Sequence, residues 1–351
     1  MAGEVEGLRC LLFATERYAG PILAPLEAAI RRKGGEVRWW CVEGAAALST
    51  EAAPRLASAA EAVAYRPHLV FSAANWVPHY LPGVKAQVFH GFNVEKRDAH
   101  RGHFRLRGLF DLYCTQGPAT TVPFRELAER HGHFHVHETG WPKLDPLFDG
   151  SLSTLEPAAV GRPVVLFGST FTPRLSAAPV LLATLRTLIA RGDRYWLLTL
   201  HPKCPQDLVR AFRALAGPNA RYVEPEALME AQARAAVLVA DTSSIVSEFV
   251  VQHKPVVTFR NRVPRPHMLN VTDPSDLDAA IEHALRPEPG LLERIRSWAA
   301  HIHPYRDGRS AERVLEAAQA LHQGKVRPPR RKPLNPWRKL QVRARTGYWW
   351  P

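Results

Sequence analysis

The chain has 351 residues, 46% of them hydrophobic and 23% charged, which excludes a disordered or fibrous protein and suffices for two domains of ordinary size. Its formal net charge is +13, and the nine basic residues from Lys325 to Arg345, with no acidic residue among them, account for most of that excess. Four scattered cysteines (Cys10, Cys41, Cys114, Cys204) without a CxxC pair exclude a disulfide framework and a zinc site, and point to buried thiols in a reducing cytoplasm.

No signal peptide is read at the start, where Glu4 and Glu6 precede a strand-sized apolar run, Leu11 to Ala14. No run reaches the roughly 20 apolar residues of a membrane span. Strand-like and helix-like segments then alternate, the pattern of parallel sheets covered by helices. Leu8 to Phe13 is a strand, Ile22 to Arg32 an amphipathic helix, and Val37 to Val42 a second strand. A helix over Glu51 to Tyr65 leads to Leu69-Val-Phe71; short strands follow at Ala86 to Phe89 and Leu109 to Cys114. Pro118 opens a helix to His131, and Phe134 to Glu138 is the next strand. The stretch Gly150 to Pro163 reads as a linker.

A second alternating run follows. Its strands are Val164 to Phe167, Tyr195 to Leu200, Ala220 to Val223, Val237 to Ala240 and Val256 to Phe259. Helices fit at Ala178 to Arg191, Gln206 to Ala216 and Ser244 to His253, and another over Asp307 to Leu321. The expected fold is α/β, with two Rossmann-like domains facing a cleft. Residues 1–149 form an acceptor domain, 150–324 a nucleotide-donor domain with a closing helix, and 325–351 a basic, Trp-containing tail.

Polar candidates fall just after strands, where open α/β sheets bind ligands. They are His90-Gly91-Phe92-Asn93; Ser169 and Thr170; His201-Pro202-Lys203; and Asp241-Thr242-Ser243-Ser244. The last set opens a helix directly after a buried strand, so backbone N–H groups and two hydroxyls are available to a phosphate; the plain alternative is an ordinary helix cap. A histidine ending a strand, such as His90, suits a general base, and His201 with Lys203 suits a leaving diphosphate. Lys96, Arg97 and Arg101 belong to a basic cluster fit for an anionic acceptor or a membrane surface. The alternation His131, His133, His135, His137 lacks a carboxylate or thiolate companion and is read as an exposed row, not a metal site. No GxGxxG follows the first strand, and neither a GxxxxGK[ST] loop nor a GxSxG elbow occurs, so nicotinamide, P-loop and serine-hydrolase chemistry are set aside. No cofactor is expected.

Together these motifs resemble the CDP-glycerol glycerophosphotransferase family, over roughly residues 85 to 318. His90-Gly91 is similar to the family's His-Gly-Thr-Pro motif, with Lys96 near a family basic position. Gly140-Trp141-Pro142 is similar to its Gly-Tyr-Pro loop, Leu200-His201-Pro202 to an Arg-Pro-His strand end, and Asp241-Thr242-Ser243-Ser244 to Asp-Tyr-Ser-Ser. Tyr305-Arg-Asp307-Gly308-Arg-Ser310-Ala-Glu312-Arg313 is similar to a closing Tyr-x-Asp-Gly segment. Phe92-Asn93 and Thr242 depart from the family pattern. The resemblance implies a glycosyltransferase-B architecture, a CDP-activated donor on the second domain, His90 as base, and donor phosphates held at His201, Ser243 and Ser244. It implies transfer of glycerol phosphate, or a related polyol phosphate, to a hydroxyl of a surface glycan or lipid-linked acceptor.

Alternatives are a sugar transferase on the same fold, such as one using CMP-Kdo in capsule or lipopolysaccharide synthesis, and a non-catalytic nucleotide-sugar-binding subunit. Hydrolysing UDP-GlcNAc 2-epimerases share the fold but carry Ser-Gly-Gly and paired Glu where this chain has only Glu248. The tail, basic residues mixed with Trp337, Tyr348, Trp349 and Trp350, suits an anionic membrane surface and a cytoplasmic protein peripheral to the inner face of the membrane. A solvated tail and RNA binding are the alternatives, and no nucleic-acid partner is expected. The tail shows little apolar pattern for core packing, and its removal is expected to spare the fold.

Overall fold

The computed structural model describes residues 7–46, 48, 54–92, 104–152 and 157–350. They form two compact units, residues 1–145 with 305–351, and residues 146–304. In the first, β1 (Arg9–Ala14), α1 (Ala19–Arg32), β2 (Glu36–Cys41), β3 (Arg55–Leu56), α2 (Ala59–Ala64), β4 (Leu69–Ser72), β5 (Val84–Gln87), β6 (Leu112–Thr115), α3 (Pro118–His131) and β7 (His135–Glu138) follow in order. All neighbours pair parallel in the order β3-β2-β1-β4-β5-β6-β7. The direction of winding therefore reverses between β1 and β4, where a doubly wound sheet opens a crevice at its carboxyl edge.

The second unit repeats the plan with β8 (Val164–Ser169), α4 (Ala178–Arg191), β9 (Tyr195–Leu200), α5 (Gln206–Arg213), β10 (Ala220–Tyr222), α6 (Leu228–Arg234), β11 (Val237–Ala240), α7 (Ile245–Val250), β12 (Val256–Phe259), β13 (Met268–Val271), α8 (Leu277–Leu285) and α9 (Pro289–Ile302). Its parallel order, β10-β9-β8-β11-β12-β13, puts the reversal between β8 and β11. Val165, Phe167, Trp196, Leu198, Val237 and Val239 pack one sheet face against Leu181 and Leu185 of α4, Phe212 of α5 and Ile281 of α8. The central strands β8, β9, β11 and β12 are buried and mostly apolar because both faces are covered.

Expected and observed strands agree closely where a run is buried on both faces: Tyr195–Leu200, Val237–Ala240 and Val256–Phe259 coincide. Edge elements differ. The expected Glu51-to-Tyr65 helix starts only at Ala59, capped by Ser58, whose Oγ accepts from Glu61 N at 3.1 Å, and Arg55–Leu56 before it pairs with β2. Strand β13 and helices α6, α8 and α9 lie in stretches for which no element was read.

The largest difference concerns the C-terminal stretch. Helix α10 (Ser310–His322), expected to close the second domain, belongs to the first unit, where it packs against α1, β4 and β5. Residues 325–350 are likewise not a loose tail. Helix α11 (Pro336–Thr346) places Val342, 3% exposed, in the same apolar cluster as Trp76, Val77, Leu81, Leu109 and Phe110. Lys332 pairs with Asp111 at 2.7 Å, Arg330 N donates to Gly132 O at 2.8 Å, and Asn335 Nδ2 to Arg107 O at 2.8 Å. Gly108 (φ 66°) lies under this strap; a Cβ there would stand 2.6 Å from Pro333 and 2.7 Å from Asn335. Lone apolar residues among basic ones gave no period to read, yet one buried valine and a row of polar bonds dock the segment. Among the described residues no helix is long and apolar enough to cross a membrane.

Candidate functional site

In the second unit the sequence candidates assemble at the reversal point. Asp241, at the end of β11, is fully buried. Its carboxylate accepts from Ser169 Oγ at 2.6 Å, Thr170 N at 3.0 Å and Ala177 N at 3.0 Å. Burial pushes its pKa up, and these donors pull it back. Ser169 Oγ in turn accepts from Ala178 N at 3.2 Å. Asp241 and Ser169, read as donor-binding, are thus turned inward: they tie the ends of β8 and β11 to the start of α4. Gly168 allows that join, since a Cβ there would meet Ile245 of α7 at 3.2 Å.

What remains on the surface is Thr170, His201, Lys203, Thr242, Ser243 and Ser244. Thr242 Oγ1 accepts from Arg262 N at 2.9 Å, and Asn261 Nδ2 donates to Asp241 O at 3.3 Å, so the loop after β12 braces the turn. The Ser243 and Ser244 hydroxyls have no protein partner among the described residues. Helix α7 has only six residues, so its dipole adds little, and the hydroxyls carry the anion-binding argument more than the helix does. His201, after β9, lies tilted against Phe171 with ring centroids 4.4 Å apart, and Lys203 Nζ stands 5.6 Å over the same ring. Lys203 N donates to His201 Nδ1 at 3.1 Å. In the neutral ring that leaves the proton on Nε2, which becomes a donor.

In the first unit, His90 follows β5. Its Nδ1 lies 3.1 Å from Ala73 O, and because a carbonyl only accepts, Nδ1 carries the proton and Nε2 the lone pair. Tyr18, in the turn after β1, lies against the imidazole at 5.1 Å. The turns after β1, β4 and β5 thus meet at His90, at the reversal point of that sheet. Although the ring has an exposed edge, its surroundings desolvate it; this, with Arg107, holds its pKa below the usual histidine value against the Ala73 bond. Phe89, 1% exposed, takes φ 58°, a conformation costly for a bulky residue, and so turns His90 outward from the strand. Gln116, fully buried, donates from Nε2 to Gly91 O at 2.9 Å and fixes the turn beyond.

The remaining motifs of the resemblance are fasteners. Trp141 packs edge-on against Phe92 at 5.1 Å, joining the Gly140-Trp-Pro loop to the His90 turn. Asp145, 4% exposed, accepts from Ser310 N at 2.8 Å and Ala311 N at 2.7 Å, capping α10 from a distant part of the chain. Arg313 grips Asp307 at 2.8 and 3.0 Å, covers the Tyr305 ring at 3.9 Å and donates to Thr139 O at 2.8 Å. Lys96, Arg97, Arg101 and Asn93 lie outside the described residues. Among the described residues no three His, Cys, Asp or Glu side chains group as metal ligands. Tyr18, Ala73, Gln116, Asn261 and Arg262 were not read from the sequence, and Phe171 only as a member of the turn after Phe167. Tyr18 follows a strand as the other candidates do, and the same rule would have found it.

Two parallel sheets, each wound in the order 3-2-1-4-5-6 from its own first strand, with a seventh strand added at the edge of the first, define two Rossmann-like units of the glycosyltransferase-B class of fold. The wall teichoic acid polymerase TagF matches with a TM-score of 0.68 and 14% identity, over 93% of this chain and 92% of that one. A variant of TagF soaked with CDPG matches at 0.63 and 12%, over 93% and 91%. A UDP-N-acetylglucosamine 2-epimerase matches at 0.61 and 14%, over 93% and 99%. At these identities the likeness shows the fold alone. No family model and no curated protein matches the sequence.

Proposed function

We propose that this protein transfers glycerol phosphate, or a related polyol phosphate, from a CDP-activated donor to a hydroxyl of a surface glycan or lipid-linked glycan. The observation that carries the reading is the opposite tautomer of two strand-end histidines. His90 presents a bare Nε2, fit to take a proton, while His201 presents Nε2–H, fit to donate to a phosphate oxygen.

The acceptor hydroxyl gives its proton to His90 Nε2 as its oxygen attacks the donor's distal phosphorus. A new O–P bond forms, the bond to the bridging oxygen breaks, and that electron pair leaves with CMP. His201, Lys203 and the Ser243 and Ser244 hydroxyls stabilise the departing charge, and such fixed donors supply most of the rate in phosphoryl transfer. The resemblance of the motifs to glycerophosphotransferases and the CDPG soak of a TagF variant favour this donor class.

A sugar transfer on the same scaffold is the second reading, favoured by the epimerase among the structural neighbours. Incubation with CDP-glycerol or CMP-Kdo and candidate glycans separates the two by the mass of the product, since both release CMP. Glycerol phosphate added to the glycan is the expected result. Kdo addition replaces the proposal with the second reading, and nucleotide binding without release from any donor makes the protein a binding subunit.

A further inference from the structure

Of the twelve large hydrophobic side chains exposed among the described residues, six (Val326, Leu334, Trp337, Leu340, Trp349, Trp350) lie in the strap from 326 to 350. Helix α11 departs from an ordinary surface helix in showing large apolar side chains to solvent while two arginines turn inward beside its one buried residue, Val342. Its inner face carries Arg338, which donates to Arg107 O at 2.7 Å, then Val342, then Arg343, which lies 5.5 Å over the Tyr80 ring. Its outer face carries Trp337, 70% exposed, Leu340, 45% exposed, and Ala344 at helical spacing, with Gln341 and Arg345 exposed beside them. Arg343 also donates to Trp350 O at 2.7 Å, holding the terminal tryptophans beside the helix. An apolar stripe shown to solvent beside inward-turned arginines marks a surface that something covers.

Charge identifies the cover. Docking brings Arg338 and Arg345 close to Arg105 and Arg107; burial, and then these like charges, hold the Arg107 pKa below its usual value. Among the described residues none of Arg105, Arg107, Arg338, Lys339, Arg343 and Arg345 has an ion-pair partner. The strap therefore presses uncompensated positive charge onto a positive segment and displays indoles beside it. A surface with anionic groups in a plane and an apolar layer just beneath satisfies both features, and tryptophan prefers that boundary.

We propose that the docked strap is the face by which this protein rests on an anionic lipid bilayer, Trp337, Leu340 and Trp350 entering the headgroup layer and the exposed Arg105 and Arg345 meeting lipid phosphates. The inference stands independently of the reaction above. Its test is co-sedimentation with vesicles of phosphatidylcholine, alone or mixed with phosphatidylglycerol. The full chain should sediment with the mixed vesicles and not the neutral ones, less as salt rises. Trp337→Ser with Leu340→Ser should bind about tenfold more weakly at an unchanged thermal midpoint, since both side chains point outward. Full-length protein that stays in the supernatant, or equal binding by the double variant, overturns the proposal. Equal binding to neutral vesicles overturns the anionic assignment. A dimer in the absence of lipid that the double variant abolishes makes the stripe a protein contact instead.

Discussion

His90 and His201 were both legible as strand-end histidines, one expected as a base and the other at a leaving diphosphate, but the nitrogen that carries the proton in each was not. The proton position depends on the Ala73 carbonyl in one case and the Lys203 N–H in the other, and neither contact has a sequence signature. His90→Ala should lower turnover by about a hundredfold while leaving donor affinity unchanged, the usual contribution of a general base. Because the pKa of His90 is held below its ordinary 6.5, the acid limb of kcat/KM should fall below that pH; a limb above it removes His90 as the base. In the sequence Asp241 groups with the donor-binding turn, with orienting that turn as its expected part, and its carboxylate faces inward. Asp241→Ala strands three donors and should cost about 2–4 kcal/mol in urea unfolding, far more than a surface residue would. Burial raises Asp145 to about 6 in the folded chain, above its usual 3.8. The stability this gives is fully present below about pH 4 and is lost as pH rises through about 6. Asp145→Asn should flatten that segment of the stability profile.

At the scale of elements, period and length sufficed for strands covered on both faces, and failed where pairing is set by distant partners. Arg55–Leu56 becomes a strand only because β2 offers an edge, and α11 is held by Val342 and backbone carbonyls that no local pattern announces. The strap changes what truncation means. Removing 326–351 should destabilise the first unit rather than spare it. Val342→Ala should cost about 1–3 kcal/mol by cavity formation, and Gly108→Ala should do comparable harm by forcing Pro333 and Asn335 away. A chain whose thermal midpoint ignores all three changes has a loose tail after all.

For the molecule as a whole, two units of like winding were legible, but the path of the chain between them was not. The sequence runs strand to helix without interruption, so a boundary near 150 sufficed, and nothing local says that residues after 304 return to the first sheet. They return because β4–β5 and β5–β6 are joined by segments without a described crossover helix, and α10 and α11 cover those places. Residues 146–304, contiguous and with their own core, should therefore fold cooperatively when expressed alone, whereas 1–145 should need 305–351 supplied in trans to give a sharp melting transition. During translation this inverts the usual sequence of events, in which the leading domain matures first. The leading sheet must wait, half dressed, on the ribosome while the trailing unit completes itself. Nascent chains stalled so that residue 304 has left the exit tunnel while most of 305–351 remains inside it should resist protease in the second unit and be cut readily in the first.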